Sequence, residues 1–406
     1  MTKAEDRATP RGTQRVPANQ AQRAPPGSPK PAAGYPVQPR AGVEAIAPYV
    51  PGRSIEEVKR DYGLNDVVKL ASNENPFGPS PRAVEAAAAA LGGVHRYPDG
   101  ASRDLRAALA RHHGLERENV IMGNGSDEVI TLLALAYLDE GSEAVLAVPP
   151  YSVHRTAVLV GHGKLVSVPL RHYTHDLAAM AAAVTERVRL IMVANPHNPT
   201  GTAVTEDDLR RLAAVAPEDV VIIVDEAYYD FVDDDLRFTA RDLLDRNPNV
   251  VTVRTFSKVH GLPGLRAGYG LAHPDIVSTL DRIRPPFGLN SVAQAAALAA
   301  LSDSQYMARV IAGTRVGRAR LLEIARGHGL EAIPSQANFV LMRVGDSTAF
   351  TESLLRLGVI VRPGENLGMP GWVRVSVGTR EELDRFDAAL DRAAVDTQER
   401  VRGSDG

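Results

Sequence analysis

The chain has 406 residues, too many for one small core, so a large domain with a smaller companion is expected. Its 46 basic and 49 acidic side chains give a net charge of -3, which supplies no whole-molecule attraction to nucleic acid or an anionic membrane. The absence of cysteine excludes disulfides, thiolate metal sites and thiol catalysis. No apolar run reaches the roughly 18 residues that a bilayer span needs, so a soluble protein is expected. Only six basic residues are lysine (Lys3, Lys30, Lys59, Lys69, Lys164 and Lys258), so a lysine in an apolar, glycine-rich setting calls for a reason.

Residues 1–41 hold eight prolines, no Ile, Leu or Phe, and seven basic residues against Glu5 and Asp6, a local charge of 7 − 2 = +5. Such a stretch buries too little apolar area to offset chain entropy, and a disordered tail is expected. A transit peptide is the rival reading, although serine is scarce and amphipathic periodicity is missing. The lack of a signal-peptide hydrophobic region favours the cytoplasm. Residues 396–406 are expected to be a second disordered tail.

Beyond the tail, helices and strands alternate. Helical signals cover Pro81–Leu91, Ala101–His112, Ser126–Leu138, Asp176–Ala183 and Glu206–Ala216. Between and after them lie β-branched runs at Asn119–Met122, Glu143–Val148, Lys164–Val168, Leu190–Val193, Val220–Val224, Val250–Thr255 and Gly268–Leu271. That alternation predicts βαβ units and a mainly parallel sheet. Helices at Ser291–Leu301 and Tyr306–Gly327 then lead to strands at Phe339–Arg343, Val359–Arg362 and Trp372–Val377. With helices at Ser347–Leu357 and Arg380–Ala394, these suggest a small α/β lobe. The expected division is an arm at 42–75, a large domain at 76–302 and a small domain at 303–395.

The chemistry clusters at strand ends, where open α/β sheets bind ligands. Lys258 follows the run Val250–Thr255 and precedes a loop with three glycines, a place where desolvation can lower an amine's pKa and ready it for Schiff-base formation. Asp225 ends Val220–Val224, suited to pair with a protonated ring nitrogen or, more plainly, to cap a helix. Tyr228 and Asn198 offer donors to a phenolate oxygen, though Asn198 serves equally as a turn former. Gly123-Asn-Gly-Ser126-Asp127 opens a helix whose N–H groups make an anion cradle, which Ser257 and Arg266 would complete. The phosphate, phenolate, ring nitrogen and aldehyde of pyridoxal 5'-phosphate thus each meet a partner.

The chain resembles the fold-type I pyridoxal-phosphate-dependent aminotransferases, and within them the histidinol-phosphate aminotransferases. The resemblance runs through Tyr49-Val-Pro-Gly52, Leu70-Ala-Ser-Asn-Glu-Asn-Pro-Phe-Gly78, Arg96-Tyr-Pro-Asp-Gly100, Gly123–Glu128, Asn195-Pro-His-Asn-Pro-Thr-Gly201, Asp225-Glu-Ala-Tyr-Tyr229, Ser257-Lys258 to Arg266, Ser335-Gln-Ala-Asn-Phe339 and Val373-Arg-Val-Ser-Val-Gly-Thr379. It implies an aspartate aminotransferase-like α/β fold with a large mainly parallel-sheet cofactor domain and a smaller C-terminal α/β domain. It implies Lys258 as the Schiff-base lysine and proton carrier, Asp225 on the ring nitrogen, and Asn198 and Tyr228 on the phenolate. Ser126, Asp127, Ser257 and Arg266 would line the phosphate, Tyr151 would stack on the ring, and Tyr97 would reach the phosphate across a homodimer interface. Arg374 and Arg362 would bind substrate anions, and Tyr49 and Asn73 would complete the substrate pocket.

The sequence departs from the family pattern at His197, at Val259-His260, and at Pro285 and Gly288 in Arg284-Pro-Pro-Phe-Gly-Leu-Asn290. His197 and His260 would either receive substrate or stand behind the site as neutral variants. His112-His113 and His172/His175 lack a carboxylate at ligand spacing, so they read as surface residues and no metal site is expected. The implied reaction transfers an amino group from L-histidinol phosphate to 2-oxoglutarate, with a small-molecule amino donor and keto acceptor as partners. An aromatic aminotransferase, or a specialised-pathway enzyme with the same cofactor, is the alternative. A nucleic-acid-binding regulator has only the tail's charge behind it and is set aside.

Overall fold

The computed structural model describes residues 39–403, so the expected tail at 1–41 lies almost wholly outside the described residues, as do the last three positions. The chain divides into two compact units, one ending at Tyr49 and one beginning at Val50. In the first, Ala41–Glu44 makes a single helical turn, and Tyr49 is exposed.

The second unit is organised by a seven-stranded sheet. Its strands are β2 (Val120–Asn124), β3 (Glu143–Val148), β4 (Lys164–Pro169), β5 (Val188–Ala194), β6 (Val221–Asp225), β7 (Val250–Thr255) and β8 (Ala267–Leu271), preceded in the chain by the short β1 (Val68–Lys69). The order is β2-β8-β7-β6-β5-β3-β4, and β8 alone runs antiparallel to its neighbours. Successive residues of each strand feed opposite faces. Leu190, Met192, Ile223, Val251 and Val253 pack into a core on one face, and Ile191, Val193, Ile222, Val224 and Val250 into a core on the other. Two apolar faces explain why these strands read as continuous hydrophobic runs. Helices cover both faces with sequence-legible starts. Ser80 accepts from the Ala83 N–H ahead of Pro81–Leu91, and Thr205 accepts from the Asp208 N–H ahead of Glu206–Val215.

C-terminal to this sheet, β9 (Ala332–Ile333), β10 (Phe339–Arg343), β12 (Arg362–Pro363) and β13 (Trp372–Ser376) form an antiparallel sheet in the order β12-β13-β10-β9. The single strand expected at Val359–Arg362 is two. β11 (Val359–Ile360) pairs in parallel with β1, whereas β12 pairs with β13, and Val361 lies where the chain changes partner. Two open edges compete for the same short run, and the core that buries Val68, Leu70, Val359, Val361, Val373 and Phe386 together fixes the division. The register sets Arg362 opposite Arg374, and both arginines are buried rather than solvated at a strand end. Two helices differ from expectation. Ile55–Tyr62 carries a readable capping box, with Ser54 and Glu57 bonding each other's backbone N–H, yet was not anticipated. The last helix runs Arg380–Gly403, through most of the stretch expected as a second tail.

Candidate active site

Parallel strands present their C-terminal ends along one sheet edge, and five of them end here. β2, β3, β5 and β7 deliver Ser126, Tyr151, Asn198 and Ser257-Lys258 from the turns that follow them, and β6 delivers Asp225 as its last residue. The reversed β8 begins at the same edge, so it brings Arg266, the residue before it, to the others. These residues, with Asp127 and Tyr228, line a cavity of about 220 Å³. Nine of the sequence-predicted side chains are thereby brought together: Ser126, Asp127, Tyr151, Asn198, Asp225, Tyr228, Ser257, Lys258 and Arg266. Asn73, Arg374 and Arg362 stand behind the lining, while Tyr97 is an exposed side chain outside it.

Lys258 Nζ donates to the Asn73 carbonyl at 3.2 Å and lies 5.6 Å from the centre of the Tyr228 ring. Burial, followed by the nearby Arg374 guanidinium, pushes the Lys258 amine down to about 8, against the pull of Asp127 and Glu74. Asn73 is held at φ 54, a left-handed conformation that asparagine tolerates better than most residues. Its amide donates to Tyr228 Oη at 2.9 Å, and its backbone N–H to Ser376 Oγ at 2.8 Å. Asn338 Nδ2 donates to the same Asn73 carbonyl at 3.0 Å. Asn198 Nδ2 also donates to Tyr228 Oη, at 3.4 Å, and burial raises the pKa of that phenol, so it stays a protonated donor.

Asp225 is buried, and His154 Nε2 lies 3.2 Å from its Oδ2. His154 was not anticipated. Its one sequence signal is the three-residue spacing from Tyr151, whose ring it meets edge-on with centroids 5.5 Å apart. The next residue, Glu226, is committed to structure, since it accepts from Arg254 Nη2 at 2.7 Å and from the Ala240 N–H at 2.6 Å.

At the other end of the cavity, Gly125 at φ +84 starts the helix Ser126–Tyr137. A Cβ there would collide with the Arg266 guanidinium, and one at Gly268 would collide with the Ser126 N–H. The two glycines leave a cradle that faces a helix N-terminus, a guanidinium and the Ser257 hydroxyl, which suits a phosphate. Arg266 Nη2 reaches Asp127 Oδ2 at 3.2 Å, although partial burial still raises the pKa of that carboxyl. A phosphate cradle, a strand-end carboxylate, the Asn198 amide and Tyr228 hydroxyl 3.4 Å apart as donors to a phenolate, and a depressed lysine fit pyridoxal 5'-phosphate group by group.

The surface reading of His175 needs correction, and of the two roles open to His197 and His260 burial selects the one behind the site. His197 is buried, with Nδ1 at 2.8 Å from Thr200 Oγ1 and Nε2 at 3.1 Å from the Pro149 carbonyl, so its ring braces the turn and does not meet substrate. His260 is buried beside the Phe256 ring, away from the cavity lining. His175, read as a surface residue, packs edge-on against His197 and lies 3.1 Å from the Ala194 carbonyl. Burial holds His175 to about 3, pushes His260 down to about 4 and lowers His197 well below its ordinary value, so all three are neutral. His113 is half-buried and bonds Tyr269 Oη at 3.0 Å, whereas His112 is exposed as expected.

A sheet with helices on both faces, gathering this lysine, carboxylate and cradle at one edge, defines an enzyme of the aspartate aminotransferase-like fold. The chain belongs to the class I and II aminotransferase family, whose model matches residues 65–390. It is 45% identical over 357 residues to histidinol-phosphate aminotransferase 1 of Cupriavidus pinatubonensis, covering 86% of this chain and 95% of that one. It is likewise 45% identical to the histidinol-phosphate aminotransferase of Symbiobacterium thermophilum, with 87% and 98% covered. Among solved structures it is similar to the histidinol-phosphate aminotransferase of Sinorhizobium meliloti in complex with pyridoxal-5'-phosphate (TM-score 0.77, 31% identity, 84% of this chain and 94% of that one). It is also similar to Thermus thermophilus aspartate aminotransferase with maleate (TM-score 0.75, 26% identity, 87% and 100% covered). Among the described residues, no helix is long and apolar enough to cross a membrane.

Proposed function

We propose that this chain is a histidinol-phosphate aminotransferase, moving the amino group of L-histidinol phosphate to 2-oxoglutarate to give imidazole-acetol phosphate and L-glutamate in histidine biosynthesis. The observation that carries the proposal is Lys258, its amine depressed to about 8, in one cavity with Asp225, Tyr228, Asn198 and Arg266, in a chain alike over almost its whole length to relatives of that name.

Pyridoxal 5'-phosphate, when bound, supplies the electron sink that makes the substrate's Cα–H acidic. The chain's own groups do the rest. Near neutral pH, a lysine at about 8 has an appreciable neutral fraction, so Lys258 can both attack a carbonyl carbon and carry a proton. Asp225, steadied by His154, holds a proton on the ring nitrogen, and Asn198 and Tyr228 donate to the phenolate oxygen. Ser126, Asp127, Ser257 and Arg266 hold the phosphate end, and Tyr151 covers the ring. The buried Arg362 and Arg374, set opposite each other across β12 and β13, support binding of the substrate's own phosphate or a carboxylate, with Asn73 completing the pocket.

The proposal includes a cytoplasmic homodimer in which Tyr97 reaches the partner's phosphate, supported by the exposed apolar Leu91, Val94, Tyr97 and Phe287. It also includes the division into an arm at 42–75, a cofactor domain at 76–302 and a small domain at 303–395. The test is a half-reaction, following the cofactor's absorbance when histidinol phosphate, phenylalanine, tyrosine or arginine is added without an acceptor. Histidinol phosphate should discharge the band fastest at low concentration. A band that responds to phenylalanine and not to histidinol phosphate would move the reading to an aromatic aminotransferase.

A further inference from the structure

We infer that Phe287 is a positioning residue for Tyr97, fixing the ring whose hydroxyl serves the phosphate site of the partner subunit. The inference rests on the proposed cross-dimer role of Tyr97.

The first observation is where the chain puts its strain. Phe287 has φ +60, the left-handed region that bulky side chains avoid. Gly288, the next residue, would adopt that conformation without a steric penalty. A turn that places the left-handed residue on phenylalanine, with glycine beside it, is holding the phenyl ring in a particular direction.

The second observation is what the ring meets. Phe287 stacks on Tyr97 with centroids 4.7 Å apart and an interplanar angle of 23°. Tyr97 is 83% exposed and Phe287 45%, so neither ring is filling a core. The phenyl also lies against Gly100, where a Cβ would approach Phe287 Cδ1 to 3.1 Å. Gly100 thus leaves room for the ring within the same Arg96-Tyr-Pro-Asp-Gly100 segment that carries Tyr97.

The third observation ties the two loops together independently of the rings. Gln294 Nε2 donates to the Asp99 carbonyl at 3.0 Å and to the Leu289 carbonyl at 2.9 Å. One amide therefore bridges the segment two residues after Tyr97 and the segment two residues after Phe287. The Pro285-Pro286 pair stiffens the approach, since each ring fixes its own φ. An exposed tyrosine otherwise samples several rotamers. Here the stack and the bridge select one before any partner or cofactor arrives, and pre-organisation of this kind strengthens binding without a new contact.

The experiment measures the dissociation constant of pyridoxal phosphate from the dimer, by absorbance on titrating apo-protein. Phe287→Asn keeps a residue that tolerates the left-handed backbone and removes the ring. It should weaken retention roughly three- to tenfold, as loss of an aromatic stack implies. Phe287→Tyr should restore wild-type affinity. Gly100→Ala, which displaces the phenyl without altering it, should weaken retention in the same direction. In a Tyr97→Phe background, Phe287→Asn should add nothing, because the hydroxyl being positioned is already gone; a purely structural effect would persist there. If Tyr97→Phe is weakened while Phe287→Asn binds as wild type, the inference is overturned and the Tyr97 reading stands. If Tyr97→Phe binds as wild type, the cross-dimer reading falls and the inference with it.

Discussion

Replacing the central lysine should stabilise the cofactor-free protein, and by an amount that depends on pH. Lys258 titrates at about 8 in the folded chain, against 10.5 for an unperturbed lysine. The difference, 10.5 − 8 = 2.5, corresponds at about 1.36 kcal/mol per pKa unit to roughly 3 kcal/mol of preference for the neutral amine in the folded state. Below about 8 the ammonium form must be accommodated beside Arg374, and the folded state bears that full cost. As pH rises from about 8 toward 10.5, the unfolded chain holds more proton than the folded one, so stability climbs and the cost fades. Lys258→Met removes the charge and fills the space with a chain of similar length. Apo Lys258→Met should therefore be more stable than apo wild type by up to about 3 kcal/mol at pH 7 and by less than about 1 kcal/mol at pH 10. The larger figure is an upper bound, because the cavity leaves Lys258 partly exposed and the hydrogen bond to the Asn73 carbonyl is lost. Urea denaturation of both apo-proteins at the two pH values measures it. Equal stability at pH 7, or a gain that does not shrink at pH 10, would refute the claim that burial depresses this amine.

Other outcomes follow from the same geometry. Glu226→Ala strands the buried Arg254 and should cost about 3–5 kcal/mol in chemical denaturation, whereas Glu226→Met with Arg254→Met, which removes both charges, should recover most of it. His154→Phe removes a hydrogen bond to the Asp225 carboxylate and should lower kcat roughly ten- to hundredfold with KM little changed; a drop in KM-dependent terms alone would contradict the assigned role. Gly125→Ala combines a strained φ with a clash at Arg266, so pyridoxal phosphate should bind roughly tenfold more weakly or worse while the far-ultraviolet circular dichroism of the folded protein stays near wild type. Borohydride should fix cofactor label to the wild type and leave none on Lys258→Ala.

The amino-acid sequence by itself determined what local chemistry encodes. The β-branched runs Glu143–Val148 and Val250–Thr255 are strands with the bounds read from the sequence, because a strand covered on both faces runs largely apolar, and its charged exceptions Glu143 and Arg254 are ion-paired. Ser80-Pro81 and Thr205 announce helix starts through their own side chains. Lys258, Asp225, Asn198 and Ser126 were legible because parallel strands put their C-terminal ends on one edge, so a strand end is already a location. Tertiary structure alone decided the rest. No periodicity joins Asn73 to Ser376, 303 positions away, or Arg374 to Asn198, 176 positions away, yet those bonds shape the wall behind Lys258. His175 read as a surface residue until the sheet enclosed it, and burial decided which of two roles, substrate-facing or behind the site, belonged to His197. Arg362 faces Arg374 only because β11 and β12 divide one apolar run between two edges, a choice made by packing around Val361. Short-range preferences specify elements and their ends; which side chains are buried together is fixed when distant elements compete for the same apolar surface.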